Sequence, residues 1–210
     1  MAISYPRDLP TVTGISSITL RAVNQTAMTS SPFTYKQQIH NHSGQRWEAE
    51  VQLPVMKYEK AEEWTAWLLS LNGRAGTFLM GDPNRETPRG SASSAPGSPA
   101  INGASQTGSS IAIDGLPASA TGYLKAGDYV QFGSASTATL HKVLAQIDTN
   151  SSGQATLDIW PNVVSASADG STVVVTNARG RWRLNSGQQD WSIDRSSLYG
   201  ITFAAVQVIP

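Results

Sequence analysis

The 210 residues carry 15 Lys plus Arg against 15 Asp plus Glu, and this balance excludes a globally basic nucleic-acid binder, whose affinity would rest on phosphate contacts. The absence of cysteine excludes disulfide scaffolds, thiol catalysis and Cys-based zinc or iron–sulfur centres. With 40% hydrophobic residues the chain can bury one large core or two small ones.

In chain order, the N-terminus lacks the basic start and apolar run of a secretory signal, and no stretch reaches the roughly 20 apolar residues that span a bilayer. The expectation is a protein made in a cytoplasm with no membrane insertion. Without a secretory leader, the N-x-Ser/Thr sites at Asn24, Asn41 and Asn150 carry no weight. Ile18, Leu20 and Ala22 alternate with Thr19 and Arg21, and Phe33, Tyr35, Gln37 and Ile39 alternate less cleanly. His40-Asn41-His42-Ser43-Gly44 reads as a turn between strands. Trp47, Ala49, Val51 and Leu53 then point one way while Glu48, Glu50 and Gln52 point the other, as in a half-buried antiparallel strand.

From Lys57 to Leu71 the rhythm changes. Ala61, Trp64, Trp67, Leu68 and Leu71 fall three and four apart, the stripe of a helix of about four turns docked through its two tryptophans. Glu59, Glu62 and Glu63 suit its early turns, and Asn72-Gly73 suits a left-handed cap. The region from Arg89 to Ser110, mostly Gly, Ser, Ala and Pro with Ile101 its only large apolar residue, reads as a linker.

Five short strands are predicted next, at Ser110–Ile113, Tyr129–Phe132, Thr139–Ile147, Gln154–Trp160 and Thr172–Thr176, separated by Gly-containing turns. Such spacing suits a small barrel or sandwich. Trp182 and Leu184 return to the pattern seen before the linker. A closing strand from Tyr199 to Val208 begins with Ile201 and Phe203 inward, and its phase is expected to shift to Val206 and Val208. The fold expected is mostly β. Residues 1–90 and 179–210 would form one discontinuous domain, with 91–178 inserted as a second β module behind the linker at 89–110.

Nothing in the sequence assembles into an active site, so no catalytic, cofactor or metal residue is assigned. His40 and His42 could share a metal only with a third ligand from elsewhere. His141, with Asp114 and Asp148 as candidate partners, reads as a solvated strand residue, and no Gly-x-Ser-x-Gly elbow is present. Asp148 to Gly153 resembles half a calcium loop but places Ile159 where a bidentate Glu is needed. Glu48 and Glu50 share the outer face of a strand within glycosidase range, an arrangement that more often serves solubility. Trp160, Trp182 and Trp191 could stack on sugars, although tryptophan in a β fold is more often core.

The run Arg46-Trp47-Glu48-Ala49-Glu50, the segment Glu63 to Gly73 and Gly76-Thr77-Phe78-Leu79-Met80-Gly81-Asp82-Pro83 resemble the distal tail proteins of long-tailed bacteriophages and gene transfer agents. Leu124 to Gly133, Leu140 to Val143, Gly153 to Pro161 and Tyr199 to Phe203 extend the resemblance through most of the chain from Arg46 onward. The resemblance implies a tail-tube-like β-sandwich with one flanking helix and a non-enzymatic, structural role at the virion's tail tip. It further implies a homo-hexameric ring between the tail tube protein and the hub protein, with genomic DNA passing through the lumen without specific binding. The first domain would line that lumen and the inserted module would face outward, where it could meet a cell-surface glycan. No family motif marks the ring contacts. The alternative from the residues is a carbohydrate-binding β module or adhesin fragment. A hydrolase would have to use Glu48 with Glu50, or His141.

Overall fold

In the computed structural model, which describes residues 3–209, Trp47, Ala49, Val51 and Leu53 are all buried, as their alternation requires. A first set of strands precedes the small-residue region: β1 (Ser17–Ser30), β2 (Gln37–Gln52), β3 (Met56–Lys57) and β4 (Phe78–Met80), with helix α1 (Tyr58–Ser70) between the last two. Then come β5 (Ala100–Ile101), β6 (Gln106–Asp114), β7 (Tyr129–Phe132), β8 (Thr139–Val143), β9 (Ala155–Ser167) and β10 (Val173–Val174). The last set is β11 (Gly180–Leu184), β12 (Trp191–Ile193) and β13 (Leu198–Gln207). Among the described residues the fold is mostly β with one α-helix.

The outer two sets form one seven-stranded sheet in the order β1-β2-β13-β11-β4, with β3 and β12 also pairing to β13. The middle set forms a six-stranded sheet in the order β10-β7-β8-β9-β6-β5. A bridge between Ala100 and Thr172, and the Ile101 N–H donating to Ser171 O at 2.9 Å, bring the edges of this second sheet together. It is a nearly closed barrel.

Helix α1 lies on the first sheet through Ala61, Trp64, Trp67 and Leu68. Perpendicular aromatic packing ties it down, with Trp67 and Phe78 centroids 5.0 Å apart. The N-terminal segment straps over the helix, because Trp64 Nε1 donates to Thr13 Oγ1 at 2.9 Å and Trp67 Nε1 to Asp8 O at 2.8 Å. Asn72 and Gly73 take the left-handed conformation expected of them, at φ 49° and 62°. Among the described residues no helix is long and apolar enough to cross a membrane.

Four expectations need correction. The segment 89–110 is not a free linker. It forms a short 3₁₀ turn at Ser91–Ser93, all of β5 and the start of β6, with Ala92 fully buried. Its small residues let backbones touch: a Cβ on Gly90 would lie 2.2 Å from Tyr123 O, and the Ala92 N–H donates to that carbonyl at 3.1 Å. His40 to Gly44 is not a turn but the middle of β2, and the real turn is Ser31 to Lys36, closed by the Ser31 N–H to Lys36 O at 2.9 Å. The closing strand does not change phase: Ala205 and Gln207 continue the inward series of Ile201 and Phe203. The fourth inward position is Gln207, whose side chain reaches across to the second sheet. Finally, His141 is buried, not solvated.

That reach is part of how the two sheets meet. Leu140 O accepts from Trp47 Nε1 at 3.1 Å and from Gln207 Nε2 at 3.2 Å. The Arg181 N–H donates to Ala138 O, and the Arg179 N–H to Gln131 Oε1 at 2.8 Å. Leu140 and Tyr129 of the second sheet pack in the core of the first. Gly180 permits this approach, since a Cβ there would meet Leu140 Cβ at 2.9 Å.

Candidate functional site

The β1/β2 hairpin outruns the core that supports it. At its base, Ile18 and Leu20 of β1 and Trp47, Ala49 and Val51 of β2 pack in the first sheet's core. From residue 24 to residue 44 every residue but Ser31 is exposed. By strand geometry the six steps from Asn24 to Ser30 carry the arm roughly 20 Å beyond that point. Met28 and Ile39 are cross-strand partners, 60% and 57% exposed, and Phe33 and Tyr35 at the turn are 91% and 81% exposed. A two-stranded ribbon is marginal alone in water. The outer edge of β1 has no neighbouring strand among the described residues, so its backbone groups are open to pairing. The opposite edge of the sheet, at β4, is covered instead: the Arg7 N–H donates to Thr77 O, and the Leu79 N–H to Arg7 O at 2.8 Å. The open edge and the projecting arm are therefore the same element.

The other candidates disperse. His40 and His42 are exposed on the arm, and among the described residues no group of three or more His, Cys, Asp or Glu side chains could hold a metal ion. Glu48 and Glu50 each take a guanidinium, Arg46 at 2.6 Å and Arg21 at 2.7 Å. Such surface pairs contribute less than about 1 kcal/mol. Asp148 Oδ1 accepts from the Gly122 N–H at 2.5 Å, while Asn150 Oδ1 accepts from the Ser152 and Gln154 N–H groups, which makes the calcium-like segment a self-closed turn. Asp114 lies at the end of β6, opposite Ala100.

His141 sits on β8 with both ring nitrogens engaged. Nδ1 is 2.6 Å from Pro161 O and therefore donates, while Nε2 accepts from Thr139 Oγ1 at 2.9 Å. This is a neutral tautomer. Burial pushes its pKa down to about 4, against a smaller upward pull from the Pro161 carbonyl. The unfolded chain binds the proton near pH 6.5, so between pH 6.5 and 4 the unfolded state holds more protons than the native one. Stability contributed by neutral His141 is thus fully present above pH 6.5 and lost as pH falls toward 4. Thermal midpoints across that range should fall more steeply for the natural chain than for His141→Gln, and parallel slopes would refute the assignment.

Among the tryptophans, Trp182 is core, with Nε1 donating to Met80 O at 2.8 Å, and Trp191 packs against the same core. Trp160 differs. It is half-buried at the foot of the hairpin, where its Nε1 donates to Asn24 Oδ1 at 2.8 Å across an open cleft. Sequence reasoning found Trp160 but missed the amides around it, because the arm's polar residues show no pattern until the fold brings β9 beside β1 and β2.

No family model and no curated protein sequence significantly matches the chain.

Proposed function

We propose that this chain is a structural, ring-forming subunit of a bacteriophage tail tip, of the distal tail type its residues resemble. The projecting β1/β2 arm carries the reading. A ribbon exposed on both faces, with apolar residues at its end and an unpaired edge along its length, is suited to contact with another chain. Where the arm of one subunit docks on a different surface of the next, the contacts are heterologous, and they close into rings when the rotation allows. The balanced charge of the chain opposes self-association little.

The test is the solution mass by light scattering, with negative-stain images of the same peak. The expected result is an annulus near six times the 22.3 kDa chain mass. Joining Thr26 to Asn41, which are cross-strand partners, by an Asn-Gly turn removes the arm while keeping its register. This trimmed chain should remain folded and monomeric. A natural chain that stays monomeric at high concentration, or an annulus that survives trimming, would overturn the role given to the arm.

A further inference from the structure

We propose that the cleft between the foot of the β1/β2 hairpin and β9 binds a neutral sugar residue of a glycan. The cleft has a volume of about 640 Å³ and is lined chiefly by Asn24, Asn41, His42, Gln45, Trp160 and Asn162. That size falls within the range of small-ligand sites. No Lys, Arg, Asp or Glu lines it. An ionic ligand would give up hydration there with no opposite charge to replace it, whereas an uncharged hydroxylated one would not.

The hydrogen-bonding groups are arranged with one polarity. Asn24 Oδ1 accepts from Trp160 Nε1, Gln45 Oε1 accepts from the Asn162 N–H at 2.9 Å, and Asn41 Oδ1 accepts from Thr26 Oγ1 at 3.3 Å. The Asn24 and Gln45 oxygens are thereby committed to N–H donors, which fixes the orientation of both amides. None of the three NH₂ groups has an acceptor among the described residues. The result is a set of oriented donors beside an indole. Trp47 meets Trp160 at 86° with centroids 4.5 Å apart, and a perpendicular contact covers at most one face of the Trp160 ring. A pyranose offers what this surface lacks: hydroxyl oxygens to accept from the amides, and a C–H face to lie on the indole. The hairpin and the second sheet build the cleft jointly, so neither would bind alone.

The proposal is independent of the ring reading: a monomer that binds sugar supports it, and a ring that does not overturns it. The full chain would be applied to an array of neutral and sialylated oligosaccharides, and the best neutral binder titrated while tryptophan fluorescence is followed. Binding of a neutral glycan should weaken by about tenfold or more in Asn41→Ala, which removes one donor at an exposed position. Trp160→Ala should abolish the fluorescence change. Because Trp160 also packs against Trp47, the Asn41 variant is the deciding one if the other does not fold. Retention of only sialylated glycans, no neutral binding at millimolar concentration, or unchanged affinity in Asn41→Ala would each overturn the assignment.

Discussion

Replacing Trp182 by alanine is expected to destabilise the chain by about 3–5 kcal/mol, the range for truncating a fully buried large aromatic residue. Trp182 has no exposed surface and lies in β11 between Phe78 of β4 and Gln207 of β13. Alanine would leave a cavity in the middle of the first sheet and would also strip Met80 O of its 2.8 Å donor. Single domains have only about 5–15 kcal/mol in hand, so the loss would take a large share of the total. Urea unfolding followed by circular dichroism would measure it. Trp182→Phe, which keeps a ring but not the N–H, should cost less than half as much. A loss below about 1 kcal/mol for the alanine variant would mean that β11 is not clamped as the structure has it.

Asp128→Ala is expected to cost on the order of 3 kcal/mol for a different reason, the orphaning of backbone donors. The Asp128 side chain is 2% exposed. Its oxygens accept from the Arg89 N–H at 3.1 Å, from the Lys125 N–H at 2.9 Å and from Arg89 Nε at 3.1 Å. The Arg89 side chain is 45% exposed and can turn to water, so the ion pair itself adds little. The two N–H groups lose their acceptor. Asp128→Asn retains an acceptor oxygen and should be distinctly milder. Equal effects would show that charge, rather than acceptor geometry, dominates. Because Arg89 and Lys125 flank the entry to the second sheet, the alanine variant should also be cut sooner by protease between residues 84 and 95.

Much of this architecture was legible in the amino-acid pattern, for a physical reason that also marks its limits. Period-two alternation records a strand with one wet face, so Trp47 to Leu53 and Ala155 to Ile159 could be placed on their faces at once. The three-four spacing of Trp64, Trp67 and Leu71 did the same for α1. The distal arm has two wet faces, so residues 26 to 42 carry only the weak alternation of Phe33 to Ile39, part of which falls in the real turn, and His40 to Gly44 passed for a turn. Polar residues that serve contacts between sheets fail in the opposite direction. His141, Gln131 and Gln207 are buried because each meets a backbone group from a distant segment, namely Pro161 O, the Arg179 N–H and Leu140 O, and no local window contains those partners. The small residues of 89–110 mislead in the same way, because close backbone packing and flexibility call for the same composition. The cleft beside Trp160 was half visible: its indole stood out, and its amides did not.

The position of β13 has a consequence for how the chain reaches its native state. It is the central strand of the first sheet, yet it follows every other strand in sequence. The nearly closed barrel needs nothing beyond β10, so it can be completed while the first sheet still lacks its middle. At ordinary synthesis rates β2 waits on the order of ten seconds for β13 to emerge, with its inner edge and Trp47 unsealed. Pairings so distant in sequence also close slowly. The long arm of β1 and β2 is thus assembled early and anchored only when β13 arrives, which ties its readiness for any neighbour to that strand.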